Sequence, residues 1–191
     1  MGAPRIGVIV GTVREGRFSE KAAAWLMGQL GSRTDLQFEL LDLKDYPLPL
    51  YADAVPASMK PSENEVASRL REKVGEMDGF IFVTGEYNNS VPGALKNAID
   101  YIYAEWNRKP AAFFAYGGAG GTRAVQHLKQ IAVEVQMVPV RQGAYVFGGD
   151  FFPIMMGQKS LDDVYGLADN VKDMVDNLSW FAGALKTARE A

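Results

Sequence analysis

The chain contains no cysteine among its 191 residues, which excludes disulfide scaffolds, thiolate nucleophiles, iron–sulfur clusters and thiolate zinc sites. Any redox chemistry must therefore belong to a bound cofactor. Histidine is almost as scarce. With His127 alone, a histidine-rich metal cluster is impossible and a serine-hydrolase triad has a single candidate base, so no metal site is expected. An excess of positive charge is missing too: 20 Lys and Arg against 23 Asp and Glu leave a net charge of -3, without the dense basic surface that nucleic-acid binders use to displace counterions. Long apolar runs are also lacking. The first, Ile6–Val10, is far too short for a signal peptide or a membrane span, and a cytoplasmic protein is expected. N-myristoylation at Gly2 is ruled out because Ile6 stands where Ser or Thr is required.

What is present is the composition of an ordinary globular protein, 48% apolar and 23% charged, in a length that suits one domain over residues 1–191. Beta-branched apolar runs alternate with amphipathic stretches, the pattern of repeated βα units around a parallel sheet. Strands are predicted near Arg5–Gly11, Gln37–Leu43, Gly79–Thr84, Ala111–Tyr116 and Val138–Val146. Helices are predicted near Ser19–Leu30, Ser62–Met77, Pro92–Trp106, Thr122–Val135 and Ser160–Arg189, with Ser19 and Ser62 as N-caps and Pro92 in a first turn. In the fourth helix Ala124, Leu128, Ile131, Ala132 and Val135 recur at steps of three and four, so this stripe should face the sheet. The fold expected is α/β, flavodoxin-like, with strand order 2-1-3-4-5 and helices on both faces. Tyr46–Pro61, with four prolines, and Gly148–Gly157 read as irregular.

Ligands of open α/β sheets bind outside the carboxyl ends of the strands, where strand order reverses. Here that means the loops after the first, third and fourth strands. The first loop, Gly11-Thr12-Val13-Arg14-Glu15-Gly16-Arg17-Phe18-Ser19, runs into a helix N-terminus, an anion site by its free amides and dipole. Thr12 and Ser19 add hydroxyls and Arg14 a charged fork, which suits a phosphate; a tight turn with an N-cap and solvated arginines is the plainer reading. Gly11 and Gly16 have Walker A spacing, but Arg17-Phe18 replaces the Lys-Ser/Thr pair, and no GxGxxG follows a strand. A mononucleotide with a terminal monophosphate remains. The glycine-rich third loop, Gly117–Gly121, would let a flat ring approach its backbone, although such runs more often just supply positive φ.

Gly11-Thr12-Val13-Arg14 with Ser19, then Glu86-Tyr87-Asn88 running into Ser90-Val91-Pro92-Gly93-Ala94-Leu95-Lys96-Asn97-Ala98-Ile99-Asp100, then the loop from Gly118 to Arg123, resemble the NADPH-dependent FMN reductase family of quinone, chromate and azo-dye reductases. The resemblance covers about the first 150 residues. It implies FMN as cofactor and NADPH or NADH as hydride donor, with electrons passed to a small-molecule acceptor such as a quinone, free flavin, chromate or an azo compound. It also implies that Thr12, Arg14 and Ser19 hold the phosphate with an amide of Val13, that Glu86, Tyr87 and Asn88 edge the ring, and that Gly118, Gly120 and Arg123 line its other side. Thr12 replaces the family's usual Ser and keeps the hydroxyl; Gly85 replaces a usual Pro and is expected to loosen the second loop. A flavodoxin-type electron carrier without turnover of its own is the alternative, although such carriers are usually far more acidic than this chain.

Three further expectations concern single features. His127 is read as a surface or packing residue. Tyr101, Tyr103 and Trp106 are assigned to core and subunit interface, and Asp162-Asp163 to the exposed start of the last helix. The run Phe151-Phe152-Pro153-Ile154-Met155-Met156 must be covered, by the last helix or by a second subunit, and a homodimer or homotetramer is expected.

Overall fold

In the computed structural model, which describes residues 2–191, the strands β1 (Arg5–Val10), β2 (Gln37–Asp42), β3 (Gly79–Gly85), β4 (Pro110–Tyr116) and β5 (Val138–Val146) pair in parallel in the order β2-β1-β3-β4-β5. The flavodoxin-like expectation is met. Strands β3 and β4 are buried along their whole length, as their unbroken apolar runs require when helices cover both faces.

One face is covered by α1 (Ser19–Leu30), α5 (Gly148–Met155) and α6 (Leu167–Glu190): Ala22, Leu26, Ile154, Val171, Met174 and Leu178 pack on Val8, Ile81, Phe114 and Val140. The other is covered by α2 (Glu65–Glu76), α3 (Gly93–Asp100) and α4 (Thr122–Glu134), with Leu70, Val74, Leu95, Ile99, Val125 and Leu128 against Ile9, Phe80, Phe82 and Phe113. Ala124, Leu128 and Ala132 of the predicted α4 stripe are buried, and Ile131 is partly so. Trp106 and Tyr101 lie in this second core, Trp106 edge-on to Phe80 at 4.8 Å between ring centroids.

The structure corrects several local expectations. Gly148–Met155 is a helix, not an irregular segment, despite Pro153 inside it. Its apolar face is held by aromatic packing: Phe151 meets Phe18 edge-on at 5.0 Å and stacks with Tyr116 at 5.9 Å. The third helix ends at Asp100, and Trp106 sits in a separate 3₁₀ turn, Ala104–Trp106, because burying Tyr101, Ile102 and the Trp106 indole takes a change of direction. Pro92 precedes α3 at its N-cap position. For α2 the cap is Asn64, whose side chain accepts from Ala67 N at 3.0 Å, while the Ser62 hydroxyl accepts from Asn64 N at 3.3 Å. Ser19 is the first residue of α1 and not its cap; Phe18 occupies that position with no side-chain hydrogen bond. Asp162 and Asp163 belong to a 3₁₀ turn, Leu161–Asp163, closed by a Ser160–Asp163 capping box and separated from α6 by Gly166 at φ 70.

The proline-rich stretch before α2 is irregular as predicted. It is pinned to α3 through Asn97, whose side chain accepts from Tyr51 N at 2.9 Å and donates to Pro49 O at 2.7 Å. No helix among the described residues is long and apolar enough to cross a membrane.

Candidate active site

Strand order reverses between β1 and β3, and the loops leaving β1, β3 and β4 meet there around a cleft of about 250 Å³. Arg14, Phe18, Glu86, Tyr87, Tyr116 and Gly118 line it, with Phe151 and Met155 of α5 on its flank. This is the crevice that an open parallel sheet leaves for a ligand.

The β1–α1 loop brings the buried hydroxyls of Thr12 and Ser19 within 2.6 Å of each other. The Tyr116 hydroxyl joins them, and burial pushes its pKa above the ordinary tyrosine value while the Thr12 and Ser19 hydroxyls pull the other way. Tyr116 thus keeps its proton near neutral pH and remains a donor. Directly beyond Ser19, the first turn of α1 has no side-chain cap, so its amide hydrogens point outward. Arg14 is exposed, makes no ion pair among the described residues, and holds its guanidinium 5.5 Å from the centre of the Tyr87 ring. Arg17 is the opposite case. Its side chain, 3% exposed, bonds the Thr12 carbonyl, both carboxylate oxygens of Asp42, and Glu20 at 3.1 Å.

In the second loop Tyr87 N donates to Ser90 O and Ser90 N to Tyr87 O, both at 3.0 Å, around Asn88 and Asn89 at φ 48 and 73. Two consecutive left-handed residues make this a type I′ turn, which suits asparagine and places Asn88 at the exposed tip. The Glu86 carboxylate pairs with the Arg123 guanidinium and accepts from Arg123 N at 3.1 Å, which caps the start of α4. Ser90 Oγ lies 2.8 Å from His127 Nδ1, so His127 is a surface residue with a partner on the second loop.

The third loop turns through Gly117, Gly120 and Gly121, all at positive φ, and Gly121 leaves no room for a side chain: an added Cβ would lie 2.9 Å from Ala115 Cβ. Gly85 is held in β3 opposite Tyr116, so the second loop begins from fixed backbone and is not loosened there. Its missing side chain admits the Tyr116 ring, which an added Cβ would approach to 3.0 Å.

Of the residues singled out in the sequence, Arg14, Glu86, Tyr87 and Gly118 line the cleft, and Thr12 and Ser19 lie buried at the loop end beside it. Val13 turns its side chain into a neighbouring pocket with Leu43, Tyr46 and Ala98. Gly120 packs against Phe147, and Arg123 reaches the site through Glu86. Sequence reasoning missed Phe18, Tyr116, Phe151 and Met155. Tyr116 closes a predicted strand beside the glycine loop and was within reach of that argument; Phe151 and Met155 depended on a helix that Pro153 concealed. Among the described residues no group of three or more His, Asp or Glu is placed to hold a metal ion.

Residues 4–151 match the NADPH-dependent FMN reductase family. The chain belongs to that family. It is 38% identical over 137 residues to an NAD(P)H-dependent FMN reductase of Schizosaccharomyces pombe, covering 70% of this chain and 68% of the relative. To a quinone reductase of Pseudomonas putida it is 33% identical over 151 residues, covering 75% and 77%. Among solved structures, the flavoenzyme NAD(P)H:(acceptor) oxidoreductase FerB of Paracoccus denitrificans aligns with a TM-score of 0.64 at 27% identity, over 95% of this chain and 94% of that one. The FMN reductase match spans all three loops that surround the cleft.

Proposed function

We infer that this FMN reductase family member is an NAD(P)H-dependent oxidoreductase that binds FMN in the cleft as one domain over residues 1–191. Bound FMN would supply the redox chemistry, accepting a hydride from NAD(P)H and passing electrons to a small-molecule acceptor. The residues present fit that group. An uncapped helix start, the Thr12 and Ser19 hydroxyls and a cation with no ion pair among the described residues stand together at one end of the cleft, and this coincidence carries the reading.

Each protein group then has a task. Thr12, Ser19, the Val13 amide and the first turn of α1 receive the phosphate, and Arg14 adds a charge-assisted contact. Tyr87, with Glu86 and Asn88, borders the ring on one side; Gly118, Gly120 and Arg123 belong to the other. The Glu86–Arg123 pair ties these two loops together and fixes the spacing between the two sides. Phe151, Met155 and Tyr116 make the flank apolar and limit water, which favours a planar acceptor such as a quinone. No side chain is assigned as acid or base. A cytoplasmic setting supplies the NAD(P)H.

Assembly follows from α5. Phe152, Met155 and Met156 are 54%, 46% and 64% exposed beside the cleft, and they form the contact of a homodimer or homotetramer. The test of function is an absorption spectrum of the purified protein with added FMN, before and after anaerobic NADPH and then a quinone. Binding, bleaching and recovery of the flavin band are expected. A protein that binds no flavin would sink the reading.

A further inference from the structure

Resting on the placement of the FMN phosphate at the start of α1, we propose that Arg17, braced by Asp42, is the positioning residue of the phosphate loop and not a second cation for the phosphate. The two arginines of the loop are treated in opposite ways. Arg14 is exposed and carries an unneutralised charge; the Arg17 guanidinium is buried against two carboxylates, Asp42 and Glu20, and has no net charge to offer a ligand. What Arg17 offers is geometry. Its Nε reaches Glu20 at 3.1 Å, Nη1 reaches Asp42 Oδ1 at 2.8 Å and also the Thr12 carbonyl, and Nη2 takes the other Asp42 oxygen. Only a planar fork reaches all of these acceptors at once, and a lysine cannot.

The contact on Thr12 is a buried, charge-assisted hydrogen bond, the stronger kind. It fixes the backbone of the residue whose hydroxyl lies 2.6 Å from Ser19 Oγ. Asp42 is itself oriented by Lys44 N at 2.9 Å. A continuous brace therefore runs from the end of β2 through Arg17 to Thr12 and the first residue of α1. It holds the hydroxyls and the open amides of α1 in one arrangement before any ligand arrives, which reduces the ordering lost on binding.

Titrations with FMN and with riboflavin, which has the same ring but no phosphate, test this by flavin fluorescence. Arg17→Lys and Arg17→Met should each weaken FMN binding about tenfold and leave riboflavin binding unchanged, because the phosphate must then order the loop itself. Asp42→Asn should weaken FMN binding too, although it frees positive charge. Full FMN affinity in Arg17→Lys, or tighter FMN binding in Asp42→Asn, would show that charge and not geometry matters and would overturn the proposal. Equal loss of both flavins in all three variants would overturn it as well, since the pair would then hold the fold. A wild-type protein that binds neither flavin removes the reading of the cleft together with this inference. Wild-type FMN binding with unaltered variants removes the inference alone.

Discussion

The two ends of the sheet differ in how many of their charges and donors they leave open. At the amino end, Asp78 accepts from the Arg5 amide at 3.0 Å, Lys186 Nζ at 2.8 Å and Arg189 Nη2 at 2.7 Å. Burial pushes the Asp78 carboxyl up, but Lys186, the Arg5 amide and Arg189 outweigh it and hold its pKa below the ordinary value. Nearby, the buried Lys109 ammonium donates to Val74 O at 2.9 Å and Gly75 O at 3.2 Å at the end of α2. At the carboxyl end Arg17 and Glu86 are paired too, with Asp42 and Arg123, but Arg14 is left facing outward and the α1 start is uncapped. The difference separates two tasks: one end closes its polar groups on themselves and ties the helices down, while the other keeps donors open for a ligand.

Substitutions can break this division. The largest effect is expected at the closed end. Asp78→Ala leaves Lys186, Arg189 and the Arg5 amide without their shared acceptor and should destabilise the fold by about 3 kcal/mol, read from denaturant unfolding, with FMN affinity of the folded protein retained. A parallel loss of FMN affinity would show that the two ends are coupled.

Arg14→Ala is the converse. FMN affinity should fall by about 1.5–3 kcal/mol, roughly tenfold to a hundredfold, while the melting temperature without flavin stays at the wild-type value. Unchanged affinity would place the phosphate elsewhere.

A pH titration sharpens the comparison. Burial, helped by Arg189, lowers the Lys109 pKa from 10.5 to about 8. Between those values the unfolded chain holds a proton that the folded one has released, so this residue's contribution to stability rises with pH across that window. Wild type should gain on Lys109→Met by up to about 1.4 kcal/mol per pH unit there. Parallel stability curves for the two proteins would mean that Lys109 is not strained by burial.

The smallest effect on folding is expected from Phe152→Ser, because this side chain is 54% exposed in the single chain. Monomer stability should change by less than about 0.5 kcal/mol, while light scattering should report dissociation toward the 20.9 kDa monomer. A scattering mass identical to wild type would remove α5 as the proposed subunit contact.

The central strands were legible in the sequence because buried parallel strands leave unbroken apolar runs, and even the more exposed β5 lies within its predicted bounds. The loops that make the cleft were legible for a related reason, since each follows such a run. What escaped depended on tertiary contacts. Gly148, Gly149 and Pro153 all argue against a helix locally, and α5 forms where its aromatic side packs on Phe18 and Tyr116. Residue type made Arg14 and Arg17 equivalent, and only the position of Asp42 at the end of β2 separates them. Glu86 was placed at the ring by resemblance, but its capping of α4 required knowing how close the two loops come.

The seat of α3 behind the cleft depends on an absent methyl group. Gly11 donates its amide to Val83 O at 2.9 Å, and a Cβ added there would lie 2.7 Å from Leu95 Cδ2 and 3.3 Å from Val83 O. Leu95 is buried in the packed core, so alanine at position 11 requires its side chain to give way against its neighbours. The second loop feeds into the start of α3, so the packing at position 11 lies behind the wall that carries Glu86 and Tyr87. Position 11 therefore works as a spacer of fixed thickness between the end of β1 and the α3 side chain of Leu95.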